Sequence, residues 1–137
     1  MQETEENAGI EIAYRLDPFP GEEELEPMWS AAWGDAWAGD LAFILARSLT
    51  HACAYAGDRM VGYVNVAWDG GVHAFLLDTT VDPAFQRRGI AKELVRQVTY
   101  AARARGAQWL HVDYEEKLDG FYRACGFKPT AAGLIRL

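Results

Sequence analysis

No apolar run in this 137-residue chain approaches the roughly 18 residues that a membrane-spanning helix needs. Met1 to Asn7 is acidic and polar, without the basic start and apolar stretch of a secretory leader, so a cytoplasmic protein is expected. Cysteine is scarce: Cys53 and Cys125 stand too far apart in sequence for a C-x-x-C pair. They read as free thiols in a reducing compartment, packed as small apolar residues. His51, His73 and His111 show no ligand spacing such as H-E-x-x-H, so no metal site is expected. Basic residues are outnumbered, 13 Lys and Arg against 20 Asp and Glu, which leaves a formal charge of −7. Such a surface repels phosphate backbones and speaks against nucleic-acid binding. It suits a cationic acceptor, or simply keeps the protein dispersed. Two glycine-rich phosphate loops are also missing: the chain has neither G-x-G-x-x-G nor G-x-x-x-x-G-K-[ST].

What is present is ample apolar material, 50% of the residues, in a length that fits one domain over residues 1–137. Ile10 to Leu16 alternates and reads as a strand. A helix is predicted from about Glu22 to Trp33, ended by Gly34. A second starts from Asp35 as N-cap and runs to about Leu49, with Leu41, Ile44, Leu45 and Leu49 on one face. Three strands follow: His51–Ala56, Met60–Trp68 and Val72–Val81. Gly57-Asp58 and Asp69-Gly70-Gly71 between them predict an antiparallel meander. The helical period returns from about Arg88 to Arg105, with Ile90, Leu94, Val98 and Ala101/Ala102 as its buried stripe. A strand at Gln108–Asp113, a helix at Lys117–Cys125 and two short strands near Phe127 and Leu134–Leu137 complete the order. The strand–helix–strand crossover makes its two strands parallel. An α/β fold follows, with a mixed sheet of about seven strands and helices on both faces. The clusters Glu3/Glu5/Glu6 and Glu22/Glu23/Glu24/Glu26 read as solvated faces.

Chemistry concentrates where a strand ends, turns through Asp82-Pro83 and re-enters a helix at Gly89. The first N–H groups of a helix lack intrahelical acceptors, and the dipole makes that end positive. Gly89 clears the space an anion needs, Ala91 keeps the next turn small, and Arg87, Arg88 and Lys92 supply positive charge. A pyrophosphate fits such a loop; an ordinary strand–turn–helix with a surface Arg pair is the alternative. Among the carboxylates near the ends of the central strands, Asp78 is the preferred general base, with Asp113, Glu115 and Glu116 as the others. Trp29, Trp33 and Trp37 recur every four residues, either as core or as an aromatic wall for a cationic ligand.

Gln86-Arg87-Arg88-Gly89-Ile90-Ala91 resembles the Q/R-x-x-G-x-G/A motif of the GNAT N-acetyltransferase superfamily. Phe121-Tyr122-Arg123-Ala124-Cys125-Gly126-Phe127 resembles the family's F/L-Y-x-x-x-G-F. The likeness covers roughly Ala52 to Leu137. It implies a GNAT-like fold and an acyltransferase that moves acetyl from acetyl-CoA, its cosubstrate, to a primary amine by direct attack. It implies cofactor contacts at Thr80, Val81, Gln86, Arg87, Arg88, Gly89, Ile90, Ala91 and Lys92. Tyr122 matches the tyrosine that often protonates the departing thiolate. Glu115 and Leu118 stand where many members carry Asn and Ala. The implied partner is an amine acceptor, a small molecule or a protein terminus, with no nucleic acid and no membrane; a homodimer is possible. The alternatives are a non-catalytic acyl-CoA-binding or sensing module and an acyltransferase that uses a longer acyl-CoA.

Overall fold

The computed structural model describes residues 9–137, so the acidic cluster Glu3/Glu5/Glu6 lies outside the described residues. Five strands form one sheet in the order β1-β2-β3-β4-β5. They are β1 (Ile12–Leu16), β2 (Thr50–Ala56), β3 (Arg59–Trp68), β4 (His73–Val81) and β5 (Trp109–His111). The four described α-helices are α1 (Glu22–Trp33), α2 (Leu41–Arg47), α3 (Ile90–Ala104) and α4 (Asp119–Ala124). β1 to β4 are antiparallel, as the Gly/Asp turns predict. β4 and β5 are parallel, as the crossover through α3 requires.

Two apolar clusters lie on opposite faces of the sheet. On one, Ile90, Leu94, Val95 and Val98 of α3 cover Ala52, Ala54, Val61, Val64 and Leu76. On the other, Leu25 and Met28 of α1 and Leu41 and Leu45 of α2 cover Cys53, Tyr55, Met60 and Tyr63. The period of two in β2 divides its residues between these clusters. Gly62 of β3 sets how close α3 comes. A Cβ there would lie 2.9 Å from Leu94 Cδ1 and 3.0 Å from Ile90 Cγ2. A larger residue there would force the Leu94 and Ile90 side chains to shift.

Four sequence expectations need correction. The sheet has five strands, not about seven. Phe127 and Leu134–Leu137 carry strand-like residues but have no neighbouring strand, and residues 128–137 run exposed. The N-cap of α2 is Asp40, whose side chain accepts from the Phe43 N–H at 3.1 Å, not Asp35. Starting there points Leu41 and Leu45 into the core, and it leaves Trp37 in the α1–α2 connection and Leu49 beyond the helix. The second acidic cluster is only partly a solvated face. Glu22 accepts from the Leu41 N–H at 3.0 Å and Glu26 from the Trp37 N–H at 2.8 Å, tying α1 to the connection that follows it.

Candidate active site

The site is organised by an irregularity in β4. Asn65 of β3 faces Leu77, whereas Tyr63 faces Thr80, so three residue steps on β4 oppose two on β3. The extra residue is accommodated by a bulge in which Asp78 takes φ +58°. Asp tolerates this left-handed conformation better than most residues. Because side chains alternate, one extra residue reverses the faces beyond it. Ala74 and Leu76 point to the α3 face. Past the bulge, Val81 packs there, while the Thr80 hydroxyl turns the other way and accepts from Trp33 Nε1 at 3.0 Å.

β4 and β5 pair only from His73/Trp109 to Phe75/His111. Beyond Phe75 the β5-facing side of β4 has no strand partner, and the two chains leave an opening between them. Tyr122 of α4 is buried in the α3-side cluster close to this part of β4. Its ring stacks on Tyr114 at 4.7 Å and meets Phe127 edge-on at 5.8 Å. Burial raises its hydroxyl above the ordinary phenol range, and a hydrogen bond from the Thr79 side chain works against that shift. Tyr122 therefore stays protonated at neutral pH with its hydroxyl beside β4. Sequence reasoning named Tyr122 but not Thr79, whose importance depends on the bulge.

Asp78 opens to the α1 side. Its surface reaches solvent, yet the surrounding protein displaces enough water to push its carboxyl above the usual Asp value. The residue is thus neither fully buried nor freely solvated. Beneath it lies Tyr63, fully buried, with a hydroxyl that has no hydrogen-bond partner among the described residues. The charge of Asp78 and, above all, burial hold this phenol far above its normal range. The tryptophans differ in burial. Trp29 and Trp37 meet edge-on at 4.7 Å and are half-buried against the α1–α2 cluster. Trp33 is 54% exposed, and its indole N–H reaches the Thr80 hydroxyl on β4, two residues from Asp78.

The phosphate-loop candidates sit together where β4 hands over to α3. After the 3-10 turn Pro83–Phe85, Gln86 is extended, Arg87 has φ +62° and Gly89 has φ +76° as the N-cap of α3. The first bond into the helix runs from the Glu93 N–H to the Gly89 carbonyl at 3.1 Å. The N–H groups ahead of Glu93 are the unpaired donors expected of a helix start. A Cβ at Gly89 would meet nothing within 4 Å, so the space the loop faces is open. The nine residues named for the cofactor do not play equal parts. Gln86, Arg87 and Lys92 are exposed at the loop, and Ala91 is half-buried behind it. The Ile90 side chain is core, leaving only its backbone to face a ligand. Arg88 turns away: its guanidinium donates to the Ile10 carbonyl at 2.8 Å and lies over Phe85. Thr80 and Val81 lie on β4, upstream of the loop.

A cleft of about 450 Å³ continues from the loop between α3 and α4, lined in part by Gly89, Lys92, Arg96, Tyr100, Arg103 and Cys125. Arg96 forms a two-pronged pair with Glu93, whose carboxyl is held at about 2 mainly by that contact. On a strongly acidic chain, Lys92, Arg96 and Arg103 thus gather three cations on one helix face, with the Glu93 carboxylate among them. Sequence reading found Lys92 only; the spacing of Arg96 and Arg103 from it was the available signal. A second hollow of about 480 Å³ lies at the starts of α1 and α2. Its walls carry Glu22, Glu23 and Asp40, which would repel an anion, and no β4 residue lines it. No group of three or more His, Cys, Asp or Glu among the described residues is arranged to hold a metal.

Known proteins share this fold. The family model of the acetyltransferase (GNAT) family matches residues 14–127. A GNAT-family acetyltransferase of Streptococcus pneumoniae superimposes with a TM-score of 0.78 at 27% identity, over 93% of this chain and 98% of that one. The aminoglycoside N-acetyltransferase AAC(6')-Iy, solved in complex with CoA, shares the fold with a TM-score of 0.73 at 21% identity, over 94% of this chain and 95% of that one. The chloroplastic GCN5-related N-acetyltransferase 1 of Arabidopsis thaliana is 29% identical over 76 residues, which are 56% of this chain and 39% of that protein. The chain thus spans well under half of that relative. On the match across residues 14–127, the chain belongs to the acetyltransferase (GNAT) family.

Proposed function

We propose that the protein is an acetyl-CoA-dependent N-acetyltransferase acting on a primary amine. The observation that carries this reading is the succession of three features along β4: the gap where β5 stops pairing with it, the Tyr122 hydroxyl beside Thr79, and the Gly89 loop where the strand hands over to α3. The backbone N–H groups of the loop, with Arg87 and Lys92, would hold the pyrophosphate, and the α3–α4 cleft would take the rest of the nucleotide. The free side of β4 would pair with the pantetheine arm and bring the thioester to Thr80 and Val81, where a backbone N–H would polarise the carbonyl. The acceptor would enter from the α1 side, past Trp33, whose face suits a cation. Its nitrogen attacks the carbonyl carbon. The C–N bond forms, the C–S bond breaks, the amine proton passes to Asp78 directly or through water, and the thiolate leaves against the Tyr122 O–H, whose hydrogen bond stabilises the charge that develops on sulfur.

The first test is binding and turnover together. Acetyl-CoA at a hundred-fold excess over Kd should stabilise the fold by about 2.7 kcal/mol, read as a rise in melting temperature. Thiol release should then appear with at least one member of a panel of aminoglycosides, polyamines and peptides. No thermal shift at millimolar cofactor would sink the reading. A shift without turnover across a broad panel would point to the acyl-CoA-sensing alternative.

Asp78 has its own test. An alkyl amine with a pKa near 10 is protonated at neutral pH and must lose a proton before it attacks. A base works when ionised, so kcat/KM should rise with pH through the raised pKa of Asp78, giving an acid limb above the usual Asp range. Asp78→Asn should keep the fold, since Asn also accepts positive φ. It should lose that limb and about 10²-fold or more in rate. An unchanged acid limb in the variant would assign the base elsewhere.

A further inference from the structure

Two groups of complementary chemistry at the β4 bulge have unspent hydrogen-bonding capacity. Tyr63 is 0% exposed, and its hydroxyl meets no partner among the described residues. A buried hydroxyl left in that state costs free energy that Phe, with the same ring, would avoid. The Asp78 carboxylate likewise accepts no hydrogen bond among the described residues, and burial is what moves its pKa. The other hydroxyls at the bulge are committed. Thr80 accepts from Trp33 Nε1 at 3.0 Å and donates to the Asp78 carbonyl at 2.8 Å, while Thr79 is engaged with Tyr122.

Strand pairing brings the two groups together. Tyr63 faces Thr80 and Asn65 faces Leu77, so Asp78 and Thr79 lie against the stretch of β3 between them. Tyr63 belongs to the α1-side cluster, the side to which Asp78 opens, and the Asp78 charge is felt at the phenol. An ionised carboxylate only accepts, a phenol O–H donates, and a bond between them is charge-assisted. Tyr63 is held by packing, whereas Asp78 reaches solvent and can turn, so closing the bond moves the carboxylate. We propose that Tyr63 is the positioning residue for Asp78: its O–H donates to the ionised carboxylate, fixes it at the bulge and lowers the pH at which it becomes a base. The bond's catalytic consequence rests on the reading of Asp78 as general base. The other groups packed on this side do not supply the bond. Burial pushes the Cys53 thiol up to about 12 and the Tyr55 phenol well above its ordinary range, so both stay neutral. Glu24 of α1 accepts from the Gly21 N–H at 2.9 Å, Arg15 of β1 lies 5.0 Å over the Tyr55 ring, and α2 contributes Leu41 and Leu45. The rival acceptor for the Tyr63 proton is the Asn65 amide oxygen, which is buried and unpartnered among the described residues.

Tyr63→Phe tests this, read by NMR titration of the Asp78 carboxyl carbon in the free protein. Losing a donor to the ionised form should raise the Asp78 pKa by about half a pH unit or more. In the wild type, the Tyr63 ring carbon that bears the hydroxyl should titrate together with Asp78. Stability gives a second reading. With the higher folded pKa, the variant keeps a proton over a window in which the wild type has released it. Its melting temperature relative to wild type should therefore fall as pH rises through the Asp78 titration, and stay level above it. In an Asp78→Asn background, the effect of Tyr63→Phe on melting should not depend on pH. The acid limb of kcat/KM should move up with the Asp78 titration. An Asp78 titration unmoved by Tyr63→Phe, or a melting difference constant with pH, would overturn the proposal and leave Tyr63 a packing residue with its O–H toward Asn65. Neither measurement uses turnover. An acid limb that survives in Asp78→Asn is the separate failure of Asp78 as base: it removes the catalytic consequence, while the titration alone decides the bond.

Discussion

Gly89→Asp should abolish acetyl-CoA binding while the fold persists. The N-cap of α3 sits at φ +76° with nothing within 4 Å of where a Cβ would lie, so the new side chain meets no steric wall in the protein. The left-handed backbone costs a non-glycine residue roughly 1 kcal/mol, less for Asp and Asn than for others, and should lower the melting temperature by a few degrees. The binding penalty is larger. A carboxylate at the mouth of the loop would occupy the space of the pyrophosphate and repel it. Two like charges about 4 Å apart at an effective dielectric of 20 cost on the order of 4 kcal/mol. A loss of at least 100-fold in Kd is expected. Gly89→Asn separates charge from bulk: it has nearly the same size and backbone tolerance, so it should bind more weakly than wild type but clearly better than the Asp variant. Calorimetric titration with CoA reads all three proteins. Wild-type affinity in Gly89→Asp would mean that the anion does not sit at this helix start.

The parts of the fold that sequence reveals are those written in period and punctuation. The stripe Ile90, Leu94, Val98, Ala102 repeats every four residues, and all four are buried on the sheet. Gly57-Asp58 and Asp69-Gly70-Gly71 separate three strand runs, and those strands pair antiparallel. Gly89 was legible for the same reason, since an isolated glycine at a strand-to-helix junction marks an unusual backbone. The β4 bulge was not legible. It sits at an ordinary Asp-Thr-Thr sequence, and only its pairing with β3 shows that three residue steps oppose two. That hidden step decides the site, because it sends Thr79 toward Tyr122 and Thr80 toward Trp33. The cap of α2 was ambiguous for another reason. Asp35 and Asp40 are equally good cap residues, and what selects Asp40 is the burial of Leu41 and Leu45, a tertiary effect. The final residues mislead in the opposite sense: their strand propensity is real, but propensity supplies no neighbour.

Tyr122→Phe should leave acetyl-CoA affinity unchanged and lower kcat at least ten-fold. The substitution removes one oxygen and keeps the ring that stacks on Tyr114 and contacts Phe121 and Phe127. The cost to packing is therefore small. The hydroxyl's neighbour is Thr79, itself on β4 and able to turn toward another partner, so no buried donor need be stranded. The catalytic cost arises when the C–S bond breaks. A thiol with a pKa near 8.5 leaves as an anion that a positioned O–H can meet. Burial keeps Tyr122 protonated, so that O–H is present throughout the neutral range. The phenol is a weaker acid than the thiol it serves, which limits the gain: it stabilises sulfur chiefly through a hydrogen bond as charge develops, not by a downhill proton transfer. General-acid assistance of this kind spans about 10²–10⁴-fold, and water can recover part of it. A ten-fold loss is thus the floor. The measurement is single-turnover acetyl transfer, which isolates chemistry from product release, alongside a CoA titration. A rate within two-fold of wild type would make Tyr122 a packing residue whose hydroxyl is incidental. So would a fall in melting temperature that tracks the loss of activity.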